Sequence, residues 1–478
     1  MRPRLAEIMG SLTLFAVGVT LSSGMILGSG SSAISRGVFL VLAATSVLLA
    51  FLAMLADGRW RIVRSFLWII VTCWLGLAVA QIFPTLLNHL PQAMHPQENG
   101  AVSLYRHATL QSIVWMSGVV ALLLSVSSHV RTGSMFANVT AGLSLVLWGI
   151  GLIGFFQTLA DRPQLLGSID LNDPRLPSIV RDIYGGDPAA GMLAYHPWDQ
   201  VTVAETSFFA PAMPTMRFFG GFLDVRHWGA SVAVLLPMLL AACCYYSSFA
   251  GIGGFRTHTQ SQQSNLFWLV GLCMAGTAAW MADPIVMPAI LTISLLWVIL
   301  FIGRPDRGTA CRLGLFYLLT MAGVCGGYWW LHGTLDFAKR YQEWASTLPT
   351  IMSLYQQRPL WGTGLATSSE LGHPMSSIAS INSLAALALE MGLLGISLVG
   401  LALLYILIRS IWVYRLLDRD GQIAWAGSTG SLLALALVSL VGPGLDIAVV
   451  AGLATFSLGC LMRTLAIGLR DEEALLAT

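Results

Sequence analysis

Apolar residues run in long stretches along this chain, and polar residues gather between them. Twelve apolar stretches stand out: 9–28, 36–56, 65–84, 109–127, 137–159, 228–249, 265–282, 285–303, 312–331, 384–408, 423–441 and 446–466. An α-helix of about 20 residues crosses a hydrocarbon core about 30 Å thick, and these stretches have that length. The pattern predicts an all-α, polytopic membrane protein of about twelve transmembrane helices. It divides into N-terminal helices (1–159), an outer stretch (160–227), central helices (228–331), a further outer stretch (332–383) and C-terminal helices (384–478).

Composition sharpens this picture. Of 478 residues 56% are hydrophobic and 10% charged, where a soluble domain carries about 25% charged residues. Lys339 is the one lysine, and the other basic residues are arginines. Arg2, Arg4, Arg59, Arg61, Arg64, Arg131, Arg256, Arg304, Arg307, Arg312, Arg409, Arg415, Arg419, Arg463 and Arg470 fall on one side if the spans alternate. Short basic connections stay inside. Both termini are therefore expected in the cytoplasm, in a bacterial inner membrane. The first stretch is long for a signal peptide and is expected to be retained. The net charge of +2 is dispersed over connections, so nucleic acid is not an expected partner. The seven cysteines lie in apolar stretches or on the basic side, and no disulfide is expected. No metal-ligand spacing occurs.

The opposite side carries the polar excess, in stretches of about 85–108, 160–227 and 332–383. Connections this long are functional or disordered. Seven of nine histidines sit in them: His89, His95, His107, His196, His227, His332 and His373. The 160–227 stretch is rich in Pro, Gly and Asp, with a short helix expected over 176–184. The 332–383 stretch opens with Phe337, Tyr341, Trp344, Leu348 and Ile351 at spacings of three and four. That stripe predicts an amphipathic helix lying along the membrane interface. Pro359 ends it, and Gly362 and Gly364 allow a tight turn. Neither internal repeats nor a pair of interrupted spans is visible, which argues against a plain transporter.

One segment carries a more specific pattern. "INSLAALALEMGLLG", residues 381–395, sets Asn382 before nine residues, then Gly392, two residues and Gly395. Upstream stand "MRFFGGFLDVRHWGASVAVLLPMLL" (216–240) and then "KRYQEWASTLPTIMSLYQQRPLWGTG" (339–364). Together these pieces, about 70 residues, resemble the O-antigen ligase and O-antigen polymerase superfamily. Segment 216–240 resembles that family's arginine, its Gly-x-Phe (Gly221, Phe222) and a span containing a proline. Segment 339–364 resembles its arginine–tryptophan helix and Pro-x-x-Gly-x-Gly turn. Segment 381–395 resembles its His-Asn entry into a span, except that Ile381 stands where the family has histidine. Arg226 and His227 also depart, at a place where the family often has a small amide residue.

The resemblance implies transfer of a glycan from a polyprenyl-diphosphate carrier to a lipid or glycan acceptor on the outer face, with no cofactor or metal. Two outer stretches would close over a lipid-facing cavity. Arg217 maps onto the family's phosphate-binding arginine, with Arg358 and Arg340 as further candidates. Arginine suits the diphosphate because its planar fork binds two oxygens and stays charged. An interfacial anchor is the competing reading of each arginine. Ile381 cannot accept a proton. A relocated base is then required, and His373 or Glu370 in the same stretch is the candidate. Otherwise the chain is a non-catalytic relative that binds or moves a lipid-linked glycan. A polysaccharide polymerase is the third reading. Glu390, a carboxylate within an apolar stretch, is either a structural hydrogen-bonding group or part of the chemistry.

Overall fold

The computed structural model describes residues 2–27, 33–58, 60, 62–63, 65–82, 106–130, 132–159, 222, 225–249, 258–282, 286–302, 304–332, 355–356, 359–364, 383–441 and 448–476. These form twelve α-helices: α1 (Arg2–Ile26), α2 (Ala33–Asp57), α3 (Leu67–Ala80), α4 (Arg106–His129), α5 (Gly133–Leu159), α6 (Val225–Phe249), α7 (His258–Met281), α8 (Val286–Phe301), α9 (Arg304–His332), α10 (Ser383–Val413), α11 (Arg419–Val441) and α12 (Ala448–Leu476). One 3-10 turn, Tyr414–Leu416, follows α10. The chain is an all-α, multi-pass membrane protein. Each of the twelve expected stretches falls on one helix. Eight helices contain an apolar segment long enough to span a bilayer; the apolar parts of α3, α7, α8 and α9 are shorter.

Several helices outrun the apolar stretch that announced them. α1 starts at Arg2, α7 at His258 and α9 at Arg304, and α12 continues to Leu476. Hydropathy marks where a helix meets lipid, whereas backbone hydrogen bonding continues into the flanking polar residues.

α6 is the central post. Within its apolar segment 94% of residues are buried, against 17% in α10. A helix buried all round must be apolar all round, and Ala230 to Tyr245 is nearly so. Pro237 lies inside it, and α11 comes close at that point. A methyl on Gly430 would stand 3.1 Å from Pro237 Cβ, and one on Gly427 2.7 Å from Ala241 Cβ. Lipid supplies no hydrophobic drive between helices, so small residues that permit close packing hold the bundle. Trp228 closes the start of α6 against α5, donating its indole N–H to Leu147 O at 3.1 Å.

Hydroxyl groups add interhelical bonds. Ser46 of α2 meets Ser125 of α4 at 3.1 Å, and Ser431 of α11 meets Ser457 of α12 at 2.7 Å. Trp297 of α8 donates to Thr429 Oγ1 of α11 at 2.9 Å. Each is worth roughly 0.6 kcal/mol in a membrane interior. α3 and α10 run antiparallel at the periphery. Leu77 packs on Met391 near one end, and Phe66 lies 5.5 Å from Tyr405 near the other.

Candidate functional site

The feature that distinguishes this bundle from a simple array of spans is a break in α10. Gly392 takes φ 62° and ψ −164°, a region essentially restricted to glycine. A continuous helix would bond Leu393 N–H to Leu389 O and Leu394 N–H to Glu390 O. Both bonds are open, and residues 359–364 are inserted between the separated groups. Thr363 N–H donates to Leu389 O at 2.8 Å and Gly364 N–H to Glu390 O at 3.0 Å. Leu393 N–H donates to Pro359 O at 2.8 Å and Leu394 N–H to Leu360 O at 3.3 Å. Two helical bonds have become four bonds between segments. Backbone polar groups in an apolar interior must find partners, and non-helical backbone survives at such depth only inside protein. The inserted turn meets that requirement.

The sequence makes the insertion possible at two facing glycines. Gly362 has φ 72°, and a Cβ on it would fall on the Glu390 carbonyl. A Cβ on Gly392 would stand 2.5 Å from Leu360 O and 2.6 Å from Gly362 N. Gly364 also has positive φ, at 106°. Thr363 Oγ1 adds a 3.3 Å bond to Leu389 O.

A third element locks the clasp. Gln81, just past α3, is fully buried. Its Nε2 donates to Trp361 O at 2.6 Å and to Glu390 O at 2.9 Å. One amide therefore ties α3 to both halves of the clasp. Leu77, Ala78 and Met391 form its apolar floor, with Trp74 and Trp361 packed against them. Replacing Gln81 by Leu keeps volume and removes both bonds. Gln81→Leu is expected to lower stability by about 1–3 kcal/mol, read as an earlier loss of monodisperse protein on heating in detergent.

Among the sequence-predicted site residues, Gly362, Gly364 and Gly392 are brought into one backbone contact. Gly395 lies just beyond the break, where a Cβ would fall on the Met391 side chain. Phe222 is fully buried before α6. Glu390 is buried in α10, with its carbonyl in the clasp. Arg226 is buried in the first turn of α6. Arg217, Gly221, Arg340, Arg358, Glu370, His373, Ile381 and Asn382 lie outside the described residues, as do the expected helices over 176–184 and along 337–351. Among the described residues, no group of three His, Cys, Asp or Glu side chains could hold a metal ion.

The clasp sets a boundary condition on the segment that carries Glu370 and His373. Gly364 is bonded to Glu390, and α10 begins seven residues before Glu390, at Ser383. Seven helical residues span about 10 Å. Gly364 and Ser383, the described residues on either side of 365–382, thus lie about 10 Å apart along α10.

Sequence reasoning missed Gln81. It sits at the end of the run "LAVAQIFP", and an amide inside an apolar stretch is itself a signal of a buried partner. No protein-family model matches the chain, and a search of curated proteins gives no match.

Proposed function

We propose that this chain is a glycosyltransferase of the O-antigen ligase kind. It moves a glycan from a polyprenyl-diphosphate carrier to a lipid or glycan acceptor at the outer face of a bacterial inner membrane. Both termini lie on the cytoplasmic, arginine-rich side. The observation that carries this reading is the clasp. The Pro-x-x-Gly-x-Gly turn and the Gly-x-x-Gly entry, separate pieces of the sequence, meet residue against residue through Gly362 and Gly392.

The chemistry assigned to the chain's residues is then as follows. Arg217, with Arg358 and Arg340, holds the diphosphate and stabilises the negative charge that grows as it leaves. His373 takes the proton of the acceptor hydroxyl. The acceptor oxygen bonds to the anomeric carbon, the bond from that carbon to the diphosphate oxygen breaks, and polyprenyl diphosphate departs. Glu370 is the next candidate for the base.

The test is transfer from a radiolabelled polyprenyl-diphosphate glycan by the purified chain in detergent. Arg217→Lys keeps the charge but loses the two-pronged contact, and turnover should fall about 10²–10³-fold. A lysine variant with full turnover would reduce Arg217 to an interfacial anchor. Ile381 favours another reading, in which the chain binds or moves a lipid-linked glycan without reacting it. Retained carrier binding with no turnover in the unaltered chain is the result that selects it. A polysaccharide polymerase differs only in the acceptor, and growth of the labelled glycan into longer chains identifies it.

A further inference from the structure

At the end of α3 opposite the clasp, a groove of about 860 Å³ opens between the first residues of α3, with Trp60, Ile62, Val63, Ser65 and Phe66 before it, and the last turns of α10. Its walls are aromatic and aliphatic: Trp60, Phe66, Trp68 and Ile69 on one side, Tyr405 on the other. The single charged group in the lining is Arg409. Trp60 is 71% exposed and Ile69 56%, so the groove faces outward rather than into the bundle. The walls are nevertheless held in place. Trp68 donates its indole N–H to Val63 O at 3.0 Å, Val63 and Leu67 are buried beneath it, and Trp60 meets Phe51 edge-on at 6.2 Å.

Three features narrow the occupant. An outward-facing apolar groove beside spanning helices is bathed in acyl chains. Tryptophan and tyrosine mark it as lying at headgroup depth. The charge in it is a guanidinium with no carboxylate among the lining residues, and the short α2–α3 connection that supplies Trp60 also carries Arg59, Arg61 and Arg64 in its sequence. Basic pockets between spans at this depth suit anionic headgroups. We propose that the groove binds one anionic phospholipid of the adjacent leaflet. Its phosphate pairs with Arg409, and its acyl chains lie over Phe66 and Ile69. The proposal is independent of the glycan reading, and its test involves no transfer.

The probe is phosphatidylglycerol, with phosphatidylcholine as the zwitterionic comparison, added to the full-length chain in detergent. Retained lipid is counted by native mass spectrometry, and binding is followed by thermal stabilisation. One phosphatidylglycerol should be kept preferentially, and the stability gain should rise with its concentration. Arg409→Gln should weaken binding at least about fivefold. Trp60→Ala should weaken it with the charge unchanged. Arg415→Gln removes the same charge from an exposed site on the same side, outside the groove, and should leave the single tight lipid in place. Equal retention of both lipids by the unaltered chain would overturn the proposal without any variant. So would an Arg409→Gln chain that binds like the unaltered one, or an equal loss in Arg415→Gln, which would point to diffuse surface charge.

Discussion

Gly392→Ala is expected to open the clasp and destabilise the protein by about 3–5 kcal/mol. A residue with a Cβ held in this backbone region costs about 1–3 kcal/mol. The new methyl would also stand 2.5 Å from Leu360 O and 2.6 Å from Gly362 N, so the 359–364 turn must withdraw. Its withdrawal leaves Leu389 O, Leu393 N–H and Leu394 N–H without the partners that replaced the helical ones. Each lost hydrogen bond adds about 1 kcal/mol. The measurement is the thermal midpoint in detergent, beside Gly400→Ala in the same helix. Gly400 has open space where a Cβ would go, so alanine there should be neutral or favourable by up to about 1 kcal/mol. If both variants melt alike, the break at Gly392 contributes no stability.

Under the proposed function, with His373 as the proposed base, His373→Ala is expected to cut glycan transfer about 10²–10⁴-fold. Carrier binding should persist, because the proposed diphosphate ligands, Arg217 and Arg358, are untouched. A companion variant tests the clasp, whose residue Gly364 precedes the segment that carries His373 in sequence. Gly362→Ala disturbs the clasp without altering any titratable group, and it should lower turnover together with stability, whereas His373→Ala should lower turnover alone. Full turnover in His373→Ala would remove the relocated base and leave Glu370 as the next group to replace. If the unaltered chain is inert, Ile381→His is the informative variant. Restored turnover there would identify a degenerate relative that lost its base at that position.

The spans were readable because lipid imposes one rule on every helix, a run of apolar residues as long as the bilayer is thick. Eight of the twelve described helices meet that rule in full and four carry shorter apolar runs, and the rule gave no hint that α6 is the buried post. Pairing between helices depends on small residues such as Gly427 and Gly430 meeting particular neighbours, and a hydropathy profile does not encode that. The turn at Gly362 and Gly364 was legible from its proline and glycines. Its insertion into α10 was not, because apart from Glu390 "ALEMGLLGISL" reads as an ordinary span and the neighbours that Gly392 meets, Leu360 and Gly362, lie 32 and 30 residues upstream. Gln81 was missed for the same reason, its acceptors being 280 and 309 residues away.

Those separations have a bearing on how the protein is made. A ribosome adds about 5–20 residues per second, so about 15–60 s pass between synthesis of Gln81 and of the Glu390 carbonyl it will bond, 309 residues later. For the first 280 residues of that interval neither acceptor exists, and the Trp361 carbonyl is made before that of Glu390. Completion of the clasp, late in synthesis, ties α3 to α10.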